Sequence, residues 1–211
     1  MKSIGDVGVD DIKSDFAYVK GKEKQAQIVE PLTKRRKKKL LKEIDVKVGY
    51  RSNIITCCTI LDNGKILFSE YNGGQYTNRV SLNDSNCNFI RTVQGLTPFE
   101  GSFYDITIID TNTIAVSVCA CISIVYIDTQ NVLHEIENDY DCDGITHCNG
   151  KLYYCSRTEG IRWFDLRTQS NQLLVPTFIG QFSYIFSGGN TLLYTSYTGT
   201  VTCSDMTGKQ I

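Results

Sequence analysis

Histidine is nearly absent from this chain. His134 and His147 are the only two in 211 residues, and neither stands in a nucleophile motif. That scarcity argues against histidine-based catalysis, so no enzymatic activity is expected. Proline is equally sparse, with Pro31, Pro98 and Pro176 all falling between candidate strands. No segment holds the roughly 18 uninterrupted apolar residues of a membrane helix, and MKSIGDVGVDDIKSDF at the N-terminus has no apolar signal core. A cytoplasmic protein without a membrane partner is the expectation. The nine cysteines include no CxxC pair, which excludes the common zinc knuckles. Their odd number and the chain's length also speak against a disulfide scaffold, leaving reduced, buried thiols.

Tyrosine and phenylalanine are abundant, at 12 and 9, against 2 Met and 1 Trp. These aromatics suit a pleated, half-buried surface. Charge divides the chain. Residues 1–49 carry 13 Lys/Arg and 8 Asp/Glu, a balance of +5, whereas residues 50–211 carry 9 and 15, a balance of −6. A basic leader precedes an acidic body, and the two are expected to meet different partners.

Four segments of the body repeat one plan of strand, tight turn, strand, loop, strand, turn, strand. They begin TCCTILDNGKILFSEY, YDITIIDTNTIAVSV, DGITHCNGKLYYCSR and FSYIFSGGNTLLYTSY. Their first turns are Asp62-Asn63-Gly64, Asp110-Thr111-Asn112, Cys148-Asn149-Gly150 and Gly188-Gly189-Asn190. Gly beside Asn supplies the positive φ of a short hairpin. Each second strand ends on a small side chain, namely Ser69, Ser117, Cys155 or Thr195. The third strands run to Asn83, Asp128, Asp165 and Asp205, each predicted to open a polar turn. Turn-to-turn spacings of about 48, 38 and 40 residues match the ~40–45 of a propeller blade. Strands sandwiched between neighbouring sheets must read nearly apolar throughout, and these do. The predicted fold is all-β, with four consecutive four-stranded blades of a β-propeller near 54–95, 102–138, 143–176 and 182–211. Residues 1–49 form a basic leader with strand-like fragments, on which no structure is imposed.

The repeats resemble the NHL-type, six-bladed propellers of tripartite-motif proteins, particularly an expanded invertebrate group. The motifs are KEKQAQIVEP (Lys22 to Pro31), CCTILDNGKILFSEY, FYDITIIDTNTIAVS, CDGITHCNGKLYYCSR and LLYTSYTGTVTCSDMTGK, together covering about residues 20–211. The resemblance implies a substrate- or partner-binding module linked to ubiquitin-ligase pathways. The ligase chemistry belongs to a RING module that this chain lacks. Six blades of this size need about 240 residues, so a partial propeller is expected.

Several local patterns invite a function. Lys34-Arg35-Arg36-Lys37-Lys38-Lys39 offers phosphate or nuclear-import binding, or is simply a solvated linker. Asp139, Asp141 and Asp143, followed by Gly144, match the opening of a DxDxDG calcium loop. The twelfth position is Gly150 rather than the Glu of an EF-hand, and a solvated blade crossing is the plainer reading. Cys142, His147, Cys148 and Cys155 follow no zinc spacing, and His147 and Cys148 should face opposite sides of one strand. No cofactor is expected. Tyr71, Tyr76, Arg157, Arg162, Trp163 and Tyr197 lie near turns and are residue types that dominate interfaces, although Trp163 also suits an inter-blade core. A protein partner is therefore expected. An RNA-binding propeller is opposed by the −6 balance of the body, and a metal-dependent propeller hydrolase by the open pocket that four blades leave.

Overall fold

The structure, a computed structural model, describes residues 54–71, 79–96, 103–138 and 141–211. The chain divides into two units, Met1–Asp45 and Val46–Ile211, and every described residue belongs to the second. Among the described residues there are fifteen strands and no helix. The first sheet holds β1 (Ile54–Ile60), β2 (Ile66–Tyr71), β3 (Arg79–Asn83) and β4 (Phe89–Thr92). The second holds β5 (Phe103–Asp110), β6 (Thr113–Val118), β7 (Cys121–Tyr126) and β8 (Asn131–Glu137). β9 (Cys142–Cys148), β10 (Lys151–Ser156), β11 (Gly160–Asp165) and β12 (Asn171–Pro176) make the third. β13 (Ile185–Gly188), β14 (Thr191–Thr195) and β15 (Val201–Asp205) make the fourth, and Gln210 bridges to Ser204 where a fourth strand begins. Within each sheet, strands neighbour in chain order and pair antiparallel. The four blades predicted from the repeats are present.

Three apolar cores hold the sheets together, one between each successive pair. Alternation along the strands explains them. Ile114, Val116 and Val118 of β6 pack towards the first sheet, whereas Ala115 between them faces the third. In β10, Leu152 and Tyr154 join the second sheet, and Tyr153 and Cys155 join the fourth. Both faces are covered, so both carry apolar side chains.

Polar side chains of the first and second strands bridge to the start of the neighbouring sheet. Thr56 Oγ1 donates to the Phe103 carbonyl at 3.0 Å and Ser69 Oγ at 3.2 Å. Ser117 Oγ donates to the Asp143 carbonyl at 2.5 Å, while the Ile145 amide donates to Asp105 Oδ2 at 3.1 Å. The Gly144 amide donates to the Ser183 carbonyl at 2.8 Å, and the Ser183 amide to Asp143 Oδ2 at 3.3 Å. Ser69 and Ser117, two of the small residues that recur near the ends of the second strands, each reach across a seam. The bridges pair early residues with early residues and late with late, so β1, β5, β9 and β13 run parallel about one axis. Burial chiefly raises the Tyr184 phenol pKa, and Asp105, Cys57 and Asp143 from the other three sheets add to the effect.

Each first strand of a four-stranded sheet carries a bulge near its start, at Ile55/Cys57, Phe103/Asp105 and opposite Tyr154/Ser156. Bulges of this kind re-aim a side chain, and here they turn residues into the seams. In the hairpins, Gly64, Asn149, Gly150 and Gly189 adopt positive φ as anticipated. The Asp110 turn instead closes with the Asn112 amide donating to Asp110 Oδ1 at 3.0 Å. One detail differs from the sequence reading. In the first sheet Asp84 opens the polar turn, accepting the Asn86 and Asn88 amides at 2.8 Å each. Asn83 is buried and folds back to the Ser81 carbonyl at 3.2 Å.

Gly144 measures how closely two sheets approach. A Cβ there would lie 2.6 Å from Tyr184 Cα and 2.7 Å from the Ile185 nitrogen. Gly144→Ala should therefore destabilise the fold by about 1–3 kcal/mol, read from urea unfolding. His147 sits in the preceding seam, its backbone amide donating to Thr107 Oγ1 at 3.1 Å and its Nε2 buried without a hydrogen-bond partner. Burial lowers its pKa, against smaller opposing effects of the Ile108 carbonyl and Asp110. The folded chain thus takes up a proton less readily than the unfolded one. Stability should fall as pH drops below the ordinary histidine range, and His147→Gln should flatten that slope in unfolding measured against pH.

Candidate interaction face

Because the first strands run parallel, all their starting ends lie on one side of the propeller, here called the upper face. The β6–β7, β10–β11 and β14–β15 turns and the connections between sheets share that side. The hairpins after each first strand and each third strand form the lower face. This division sorts the residues singled out in the sequence.

Arg157 follows β10 on the upper face and is committed to the fold. Its Nη2 lies 3.0 Å from Asp143 Oδ1, its Nη1 pairs with Asp141, and the guanidinium lies 5.0 Å over the ring of Tyr104 from the second sheet. Asp143 in turn accepts the Ser183 amide of the connection to the fourth sheet. Three sheets meet at one ion pair. Burial raises the Asp143 carboxyl above its ordinary range, while Arg157 and the Ser183 and Phe182 amides oppose that rise. Of the three carboxylates suggestive of calcium, Asp141 and Asp143 thus hold a guanidinium between them, and Asp139 lies outside the described residues. Among the described residues no group of three or more His, Cys, Asp or Glu is placed to hold a metal.

The remaining sites separate as follows. Cys142 belongs to the core against the second sheet and His147 to that same seam, whereas Cys148 and Cys155 belong to the core against the fourth. Arg162 pairs with Glu159 at 2.8 Å and reaches Asn171 Oδ1 at 3.2 Å. Trp163 packs against the third core with Lys151 Nζ 3.7 Å from its ring centre. Tyr71 ends β2 on the upper face, half-buried. Tyr76 and the basic run Lys34 to Lys39 lie outside the described residues. Tyr197 is 72% exposed at the β14–β15 turn.

Tyr197 does not stand alone. Its amide donates to the Ile179 carbonyl at 2.7 Å, fixing the turn against the connection between β12 and β13. That connection is itself tied down, since the Ile179 and Gly180 amides donate to the Arg157 carbonyl at 3.2 and 3.0 Å. Gly180 has no room for a side chain, because a Cβ would collide with Tyr197 and sit 3.5 Å from a Phe178 ring carbon. Phe178 and Phe182 project from this connection, 69% and 61% exposed. Phe182 is held at φ 58°, a left-handed conformation that a bulky residue rarely adopts. Ser183 enforces it, its hydroxyl donating to the Ile179 and Gly180 carbonyls at 3.3 and 3.1 Å. The fold therefore holds large apolar rings out to solvent on a braced loop. The sequence reading passed over Phe178 and Phe182. Two phenylalanines in a connection between Pro176 and Ser183 were the available signal, since aromatic residues in a solvent-side loop have no core to fill.

No protein-family model matches the chain, and no curated protein sequence does. Solved structures do. The WD40 β-propeller domain of Doa1 superposes with a TM-score of 0.59 at 15% identity, covering 71% of this chain and 50% of that one. A structural-genomics protein of unknown function from Bacteroides thetaiotaomicron gives 0.59 at 10% identity, covering 80% and 45%. The computationally designed Ika4 protein gives 0.55 at 16%, covering 79% and 99%. The chain spans about half the length of the first two and nearly all of the third. Likeness at such identities establishes the fold, a β-propeller.

Removing the guanidinium tests the junction. Arg157→Met leaves the buried Asp143 carboxylate without its counter-charge and should cost about 3–5 kcal/mol in urea unfolding. Adding Asp143→Asn to that variant should recover part of the loss.

Proposed function

We propose that this chain is a protein-interaction module that engages a protein partner through its upper face. The observation that carries this reading is the exposure of Phe178 and Phe182 on the β12–β13 connection and of Tyr197 on the β14–β15 turn hydrogen-bonded to it, a surface braced by the third and fourth sheets. Exposed aromatics on a preorganised surface are the usual anchors of an interface. An unfavourable backbone conformation kept at Phe182 is the kind of strain that gathers at working sites. Propeller folds commonly serve this role, which agrees with the reading without naming a partner.

The order of the repeat motifs supports a finer statement. The chain is an NHL-type propeller region of tripartite-motif-like proteins, binding substrates or partners in ubiquitin-ligase pathways with no ligase activity of its own. A non-catalytic role is supported by the two histidines, one stacked on Phe164 at 5.6 Å and the other in the second seam. The module works in the cytoplasm, and the run Lys34 to Lys39 offers a nuclear-import signal.

The test is affinity capture from cell extract with immobilised chain, quantified against variants. Phe178→Ala/Phe182→Ala/Tyr197→Ala should lose captured proteins about tenfold or more, while the lower-face variant Arg167→Ala/Lys209→Ala keeps them. Equal capture by all three chains, or retention of RNA in place of protein, overturns the reading. Phe182→Gly adds a second check. Relief of the left-handed strain should leave stability unchanged or raised by up to about 1 kcal/mol, yet capture should fall.

A further inference from the structure

The charges around the exposed rings are arranged unequally. Of the three ion pairs beside them, one joins Arg157 to the buried Asp143, and in the other two the carboxylate is the more accessible member, Asp141 at 38% against 13% for Arg157, and Glu159 at 33% against 20% for Arg162. In those two the cation is turned into the fold and its counter-ion outward. Glu159 adjoins the braced loop directly, its carbonyl accepting the Thr177 amide at 3.1 Å. The three lysines of the repeat region, Lys65, Lys151 and Lys209, all stand at lower turns. Among the described residues the upper face therefore carries no lysine, and its arginines are engaged. Arg79, at the start of β3 in the first sheet, pairs with Glu70 at 3.0 Å and is the outward member there, so the outward carboxylates belong to the third sheet. The negative balance of residues 50–211 adds a background field of the same sign.

Exposed aromatic faces themselves attract cations, most strongly guanidinium groups. An apolar side chain set against Phe178 and Phe182 would leave a neighbouring cation within reach of Tyr197, Asp141 and Glu159. Acidic or phosphorylated partners would meet repulsion at the same rim. Resting on the protein-binding reading above, we infer that the upper face of the third and fourth sheets takes an extended peptide segment carrying arginine or lysine beside apolar residues. The rings supply affinity through buried apolar area. The outward carboxylates select the sign of the flanking charge.

Fluorescence anisotropy with three labelled peptides tests this. One alternates Leu with Arg, one Leu with Glu, and one Leu with Ser. The Arg peptide should bind at low salt about tenfold more tightly than the Ser peptide, lose that advantage as salt rises, and exceed the Glu peptide by more. Asp141→Asn/Glu159→Gln should erase the advantage of Arg while leaving the Ser peptide's affinity in place. Glu159→Gln alone, which leaves the Arg157 junction intact, should remove part of it. The aromatic triple variant should weaken the Arg and Ser peptides alike. Binding of the Glu peptide as tight as that of the Arg peptide, or an advantage of Arg untouched by the carboxylate variants, overturns the inference. If the Ser peptide binds as well as the Arg peptide and needs the aromatic rings, the protein-binding reading survives and the preference for cations fails. If the aromatic variant binds every peptide unchanged, the protein-binding reading for this face fails as well.

Discussion

The hydrogen bonds that cross the seams between sheets are what the rest of this structure depends on. Adjacent sheets pack face to face, so their backbones cannot join in a common ladder, and apolar contact alone leaves the sheets free to slide. A few hydroxyls and carboxylates in each seam remove that freedom. Ser69 on Phe103, Ser117 on Asp143, and Asp143 on Ser183 fix both the spacing and the parallel direction of the first strands. With direction fixed, every connection between sheets emerges on one side. The division of the molecule into two dissimilar faces follows from these few contacts.

At the third seam the locking carboxylate is paired with an arginine, and that changes what the seam does. Asp143 needs a counter-ion when buried, Arg157 supplies it, and the carbonyl of the same arginine accepts two amides of the next connection. Neutralising a buried charge and shaping a surface loop are thereby one event. The loop bearing Phe178 and Phe182 is held by the requirement that Asp143 not stand alone, which is how an exposed, strained aromatic persists on a stable fold.

The blade plan was open to a reader of the sequence because it is written in local chemistry. Alternating apolar residues and Asn-Gly hairpins report on neighbours only a few positions away, and the small residue at 69, 117, 155 and 195 repeats at a fixed distance after each hairpin. The separation of His147 from Cys148 across β9 followed from strand geometry in the same way. The interaction face was less legible. Arg157 reads as an exposed cation near a turn, and only contact with Asp141, Asp143 and Tyr104 shows it to be structural. Tyr197 was recognisable by type, but its association with Phe178 depends on the Ile179 carbonyl and on Gly180 having no side chain. Such contacts join residues 14 positions apart, as Arg157 and Asp143 are, or 40, as Ser183 and Asp143 are, and no short motif encodes them.

The pairwise nature of the three apolar cores reaches beyond the finished molecule. The second and third sheets each bury one face against the preceding sheet and the other against the following one, in the manner of nearest-neighbour repeat architectures. During translation, then, a newly emerged sheet finds its docking surface already built by the one before it. Such packing favours assembly in the order of synthesis, with one blade face at a time awaiting its cover.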